Sequence, residues 1–421
     1  MKAASSPKGL ACWLALIAAS CAAQPAPMPT VQSETPRDPA RLVIVGGGLR
    51  ASQTDIFDAF LDDLGEGAIV IIPVASAEPN AAARRSITAF TANRVDPSRL
   101  VVAPIAVVDD PKTDDVNEAL WADNVDDRTL ADSLRAAAGI WFTGGDPGRL
   151  MDALDDSLVL DAIRDAYARG SVLGGTSAGA TIMAERMIRK GHALPSLRQD
   201  VYDDGAVQIG PGFGFFSRGI IDQHFLQRGR VGRLVAALAD DDVSRKRGFG
   251  IDEGTGLVLR QSGTLEVVGF AHVTLIDASV ARFDTTDSGA MIADDLRLSL
   301  LAAGDRIAPD GRLIPSNGRN PTIGDEYRET ASATGVGLAF PPGGLPGAIG
   351  LDLVDASNAL QRVERSFDAN GNGVAFTFTQ DDHTEGYWGR TGNGRGLYTV
   401  HNVELSITPL NARFSEPAEH R

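Results

Sequence analysis

The segment of this sequence best suited to do chemistry is a serine framed by glycines, Gly174-Gly175-Thr176-Ser177-Ala178-Gly179-Ala180. The apolar run Ser171-Val172-Leu173 leads into it as a buried strand, and Ala180 to Arg186 can continue as a helix. Strand, sharp turn, serine and helix together make a nucleophile elbow, in which the turn strains the serine backbone and demands small neighbours. Gly175 and Gly179, two before and two after Ser177, supply that clearance. The following helix N-terminus would bring amide donors and a positive dipole end to the serine oxygen. A glycine-rich turn of this kind can also cradle phosphate. That version carries a lysine directly after the last glycine, where Ala180 stands here.

A serine nucleophile needs a base. Of the six histidines, His192, His272, His383, His401 and His420 have ordinary surroundings and read as structural or exposed. His224 ends the short apolar strand Gly219-Ile220-Ile221-Asp222-Gln223, at the sheet edge where ligands of α/β proteins bind. There it could take a proton from Ser177. Arg228, Arg230 and Arg233 follow it, a dense cationic cluster in an acidic chain. Their planar forks suit carboxylates, which points to an acidic substrate. The alternative is a solvated helix face paired with Asp240, Asp241 and Asp242. Cysteine chemistry is excluded from the body of the chain, because the only cysteines are Cys12 and Cys21.

The elements that must position these groups alternate. Strands are expected at 41–45, 68–74, 100–105, 139–142 and 171–175, and helices at 55–64, 130–138 and 158–169. This is the pattern of a parallel sheet covered on both faces. Gly256 to Leu259 and Leu265 to Ile276 read as hairpin strands. Beyond about Asp284 glycine, proline and asparagine are frequent and helical periods scarce, with strand pieces at 374–378 and 397–405. A β-rich C-terminal extension, 285–421, is therefore expected after an α/β domain over 41–284. Asp368-Ala369-Asn370-Gly371 resembles half a calcium loop, but Thr379 stands where the closing glutamate belongs, so an asparagine-glycine turn is expected.

The chain has 421 residues, 43% hydrophobic and 22% charged, with a net charge of −16. So acidic a chain argues against nucleic acid as a partner. Lys2 and Lys8 followed by the apolar run Leu10 to Ala19 read as an export leader, too short to span a bilayer as a mature helix. Ala18-Ala19-Ser20-Cys21 resembles a bacterial lipobox, so residues 1–21 are expected to be a lipoprotein-type signal with Cys21 lipidated. Plain secretion after cleavage near Ala22 or Ala23 is the alternative. Residues 22–40, rich in Ala, Pro, Gln, Ser and Thr, read as a flexible tether.

Five motifs in order resemble the cyanophycinase family: Phe142-Thr143-Gly144-Gly145-Asp146, Gly174 to Ala180, Gly210-Pro211-Gly212-Phe213-Gly214-Phe215, Asp222 to Arg233, and Gly250-Ile251-Asp252-Glu253-Gly254-Thr255. The resemblance covers about residues 40 to 284. It implies a three-layer α/β fold like that of class I glutamine amidotransferases, with serine in place of cysteine. It implies Ser177 as nucleophile, His224 as base, and amides near Gly145 and Ala178 as oxyanion donors. Asp222, Gln223, Arg228, Arg230 and Arg233 would line the substrate pocket. The implied reaction is serine-type hydrolysis of cyanophycin, arginine-decorated poly-aspartate, to β-Asp-Arg dipeptides, with no metal or organic cofactor.

Pro147 departs from the family pattern, which has a glutamine there, and this favours an aspartyl or isoaspartyl dipeptidase as the second reading. The triad acid is expected at Asp200, between Ser177 and His224, with Asp203, Asp204, Glu185 and Glu253 open. A non-catalytic envelope binding protein of the same fold is the rival from another class. A homodimer is the default expectation for such an enzyme.

Overall fold

The α/β core begins with apolar runs too short for helices. In the computed structural model, which describes residues 40–413 apart from 63, 331–343 and 392–393, they form five parallel strands. These are β1 (Ala40–Val45), β2 (Ile69–Ile72), β3 (Leu100–Val102), β4 (Gly139–Phe142) and β5 (Val172–Thr176), in spatial order 1-5-4-2-3. The leader, Cys21, the tether and His420 lie outside the described residues.

Alternation along β1 sets the layers. Leu42 and Ile44 face a core shared with α3 (Arg128–Arg135), α4 (Pro147–Leu154) and α5 (Leu158–Arg169). Val43 and Val45 face α1 (Thr54–Leu61) and α2 (Pro79–Ala92). On that second face Phe57, Phe60, Phe90 and Trp141 meet at centroid distances of 5.3–5.5 Å, mostly edge-on, a favoured aromatic arrangement. Helix α5 matches the expected 158–169, with Ser157 capping its start and Gly170 in the left-handed region at its end. Helix α2 carried little amphipathic signal in the sequence because alanines make up its buried side.

The sheet is mixed rather than purely parallel. Beyond β1 it continues antiparallel through β10 (Thr255–Arg260) and β11 (Leu265–Gly269), then β15 (Arg306–Ile307) and β16 (Leu313–Ile314). The helix expected over 180–186 is only one turn, α6 (Ala178–Thr181). It is followed by the ribbon β6 (Arg186–Lys190) and β7 (Gln208–Pro211), with α7 (Ala193–Leu197) between them.

A second sheet carries β8 (Ile220–Gln223) at one edge, parallel to β9 (Arg247–Ile251). Helix α8 (Val231–Ala239) joins the two and packs on this sheet's core. Next come β12 (His272–Asp277) and the 12-residue β14 (Met291–Ala302), which also pairs with β13 (Arg282–Thr285). The run 265–276 therefore does not form one strand. It breaks at Phe270 and Ala271, where the chain passes from the first sheet to the second.

The boundary expected near Asp284 falls inside the β13–β14 hairpin. The remaining strands, β17 (Asn320–Pro321), β18 (Gln361–Phe367), β19 (Asn372–Thr379), β20 (Glu385–Arg390) and the 16-residue β21 (Gly396–Asn411), widen the same sheet. The described residues make one compact unit. A fully buried guanidinium fastens it: Arg198 donates to Asp200, to the carbonyls of Gly373 and Leu410, and to Asn411 Oδ1. The Asp368–Gly371 segment is the turn of the β18–β19 hairpin, with Asp368 accepting from the amides of Asn370 and Asn372.

Candidate active site

Ser177 follows β5 in the central part of the first sheet, with φ 56° and ψ −113°. A non-glycine residue held there is strained, and its amide is pinned by a 2.9 Å bond to the Val45 carbonyl at the end of β1. The two framing glycines are required by space. A β-carbon on Gly175 would meet the Gly179 carbonyl, and one on Gly179 would meet the Phe142 carbonyl.

His224 comes from the second sheet, one residue past β8. Its backbone is also left-handed, φ 47°, and its amide donates to the Gly46 carbonyl at 2.7 Å. Gly47, with φ 105°, lies flat against the imidazole, where a β-carbon would collide with the ring. Nε2 of His224 stands 2.9 Å from Ser177 Oγ. Nδ1 stands 2.6 Å from Glu253 Oε1. Burial pushes the His224 pKa below its ordinary value, and the Arg228 and Arg230 charges add to that; the Glu253 carboxylate opposes both.

The carboxylate that faces His224 Nδ1 is Glu253, one of the residues left open, and not Asp200, so that expectation is corrected. Asp200 is held bidentately by Arg198 at 2.8 and 3.0 Å, which keeps its carboxyl below the usual range. Both imidazole nitrogens are already taken by Ser177 and Glu253, which leaves no place there for Asp203, Asp204 or Glu185 either. Glu253 occupies the turn between β9 and β10, where the chain crosses from the second sheet to the first. Its amide bonds Gln227 Oε1 at 2.9 Å. The adjacent Asp252 carboxylate ties the Leu226 amide at 3.0 Å and the His272 amide at 3.3 Å. Burial pushes the Asp252 pKa up to about 7.

The expected pocket residues also sort differently. Asp222 is fully buried and accepts from Arg233 Nε at 2.8 Å, with Arg233 also donating to the Gly191 carbonyl. Arg230 turns inward onto the Gln223 carbonyl and side chain, with Asp222 at 3.4 Å. None of Asp222, Gln223, Arg228, Arg230 and Arg233 lines the cavity at Ser177. Asp222, Gln223, Arg230 and Arg233 form an internal network behind the histidine, and Arg228 is the exposed member of the cluster. Buried carboxylate and guanidinium hold each other in charge balance, so neither is available to a ligand.

The cavity beside Ser177 has a volume of about 370 Å³. Phe57, Phe90 and Trp141 form its apolar side, Arg85 stands at its rim, and no carboxylate lines it. Thr143 Oγ1 is buried on its wall without a hydrogen-bond partner among the described residues. The amides of Gly145 and Ala178 donate to no backbone carbonyl in the described residues. Pro147 opens α4 behind the Asp146 cap and is buried. Sequence reasoning missed Thr143 and Arg85, since a threonine in a strand-end motif and an arginine on an alanine-rich helix carry no signal of their own.

A hydroxyl, an imidazole and a carboxylate in line can move a proton from the hydroxyl to the imidazole as the oxygen attacks a carbonyl. The comparisons agree with that chemistry. Residues 42–267 match the model of peptidase family S51. The cyanophycinase of Geminocystis herdmanii is 32% identical over 274 residues, 63% of this chain and 92% of that protein. The cyanophycinases of Trichormus variabilis and a Nostoc species are each 31% identical over 286 residues, 66% of this chain and 88% of theirs. With more than half its length matched, this chain belongs to peptidase family S51 and is a serine-type peptidase.

Proposed function

We propose that the chain is an exported serine exopeptidase that hydrolyses cyanophycin to β-Asp-Arg dipeptides through an ester on Ser177. The observation that carries the mechanism is the line Ser177 Oγ, His224, Glu253, at 2.9 and 2.6 Å. His224 Nε2 takes the Ser177 proton as Oγ attacks the scissile carbonyl. Glu253 fixes the tautomer with the proton on Nδ1 and stabilises the imidazolium that forms. The unengaged amides of Gly145 and Ala178 hold the developing oxyanion, a contribution of about 3–4 kcal/mol for one donor in such enzymes. His224 then protonates the leaving amine, and water repeats the sequence on the ester. The cyanophycinase relatives support the substrate. The leader supports export, with attachment through Cys21 the first choice.

A second reading is favoured by one observation. The cavity offers Arg85 and no carboxylate, and Pro147 offers no amide, so an acidic dipeptide fits it without an arginine side chain to seat. The deciding experiment offers insoluble cyanophycin, β-Asp-Arg and α-aspartyl peptides to the protein beside a Ser177→Ala control. Release of soluble β-Asp-Arg that disappears in the control supports the first reading. Cleavage of the aspartyl peptides alone supports the second.

A further inference from the structure

We propose that a cleft between the two sheets, away from Ser177, is a second binding site for a small amphipathic anion. Two cavities share Arg218, Arg247 and Ser279 and so form one cleft with an outer and an inner chamber. It has no lining residue in common with the Ser177 cavity. The inner chamber exists because the residues beyond the family match complete it. Phe249 and Leu265 come from the matched span, while Leu275, Ile307 and Pro309 close over them from β12, β15 and the turn after β15.

The outer chamber, about 520 Å³, is lined by Arg218, Arg245, Lys246 and Arg247 with three serines and no carboxylate. Four cations on one concave surface repel each other, and this chain has a net charge of −16 with acids to spare. Among the described residues only Arg247 of the four has a carboxylate partner, Asp277 at 2.7 Å. Lys246 is held by the carbonyls of Leu238 and Asp240. Among the described residues Arg218 reaches only the Gly263 carbonyl, at 3.4 Å. The Arg245 side chain is exposed and makes no hydrogen bond or ion pair among the described residues. Two guanidiniums are therefore left with their forks open, the group that best grips phosphate, sulfonate or carboxylate.

The inner chamber has the opposite character. Its volume is about 250 Å³; Phe249, Leu265, Leu275, Ile307 and Pro309 form its apolar side, while Asp277 and Arg297 on its wall are each held in an ion pair, with Arg247 and Asp381. A charged head in the outer chamber with a short apolar body in the inner one satisfies both surfaces. A free inorganic anion would leave the inner chamber unused.

The test is calorimetric titration of the full chain with n-hexyl phosphate and, separately, inorganic phosphate. The expected result is one saturable hexyl phosphate site, with inorganic phosphate at least about tenfold weaker, since burial of even two methylenes is worth that. Arg218→Ala with Arg245→Ala should weaken hexyl phosphate about tenfold or more, the cost of losing a charged hydrogen bond. Ala308→Trp, which fills the inner chamber from its rim, should reduce hexyl phosphate to the level of inorganic phosphate while leaving inorganic phosphate unchanged. An unchanged Tm in each variant shows that the fold is kept. Absence of saturable binding, equal affinity for the two phosphates, or full affinity in the arginine double variant would each overturn the proposal.

Discussion

His224 Nδ1 and Glu253 Oε1 lie 2.6 Å apart although 29 residues separate them in the chain. Replacing Glu253 by glutamine keeps the shape and removes the charge. kcat should fall by about 10²–10⁴-fold with KM little changed, because the tautomer and the imidazolium lose their support. Steady-state kinetics on any substrate the protein cleaves checks this. Loss of less than a few-fold would remove Glu253 from the acid position.

Asp200→Ala should behave in the opposite way. It leaves the Arg198 guanidinium buried without its carboxylate, so unfolding in denaturant should show a loss of about 3–5 kcal/mol. kcat per folded molecule should be unchanged. A large drop in kcat at full stability would return Asp200 to the site.

The pH profile follows from the lowered pKa of His224. The base must be neutral, and burial keeps it neutral to a lower pH than an ordinary imidazole of 6.5. kcat/KM should therefore stay level as pH falls to 6.5 and decline only below it. In Glu253→Gln the group that raises this pKa is gone, so the limb of the residual activity should move lower still. A limb above 6.5 in the native enzyme would contradict the geometry.

The arginines separate into two kinds. Arg233→Leu removes the partner of the fully buried Asp222 and should cost about 3–5 kcal/mol of stability, measured by chemical denaturation. Arg228→Ala touches no internal carboxylate and should leave stability within about 0.5 kcal/mol, as exposed substitutions do. A rise in KM for Arg228→Ala alone would tie that exposed charge to substrate binding.

Gly47→Ala should abolish most activity while leaving the apolar cores intact. The new β-carbon meets the imidazole directly, and the position has φ 105°. Labelling of Ser177 by a fluorophosphonate reads the outcome. Labelling at the native rate would mean that the histidine relaxes without loss.

What the sequence revealed depended on how local the information was. Ser177 was legible because its elbow is written in seven consecutive residues, and α5 because its period and both caps are. His224 was legible as a strand-end histidine. Glu253 was not separable from its competitors, since its position depends on a turn that passes between sheets; Asp200 had sequence order in its favour and Arg198 two residues away. The arginine cluster was misread because charge spacing does not say which way a side chain turns. Arg233 turns inward to Asp222, which no periodicity reveals. The break at Phe270 was hidden for a similar reason, as both flanking strands are apolar.

Ser177 stands just past a strand of one sheet and His224 just past the edge strand of the other. Their 2.9 Å separation is therefore a tolerance between two slabs rather than a property of either. Solvent that loosens the seam would widen this gap before it melts a strand. Inactivation would then run ahead of the loss of secondary structure, and strands β17 to β21, which widen the histidine's slab, would matter to an oxygen atom they never touch.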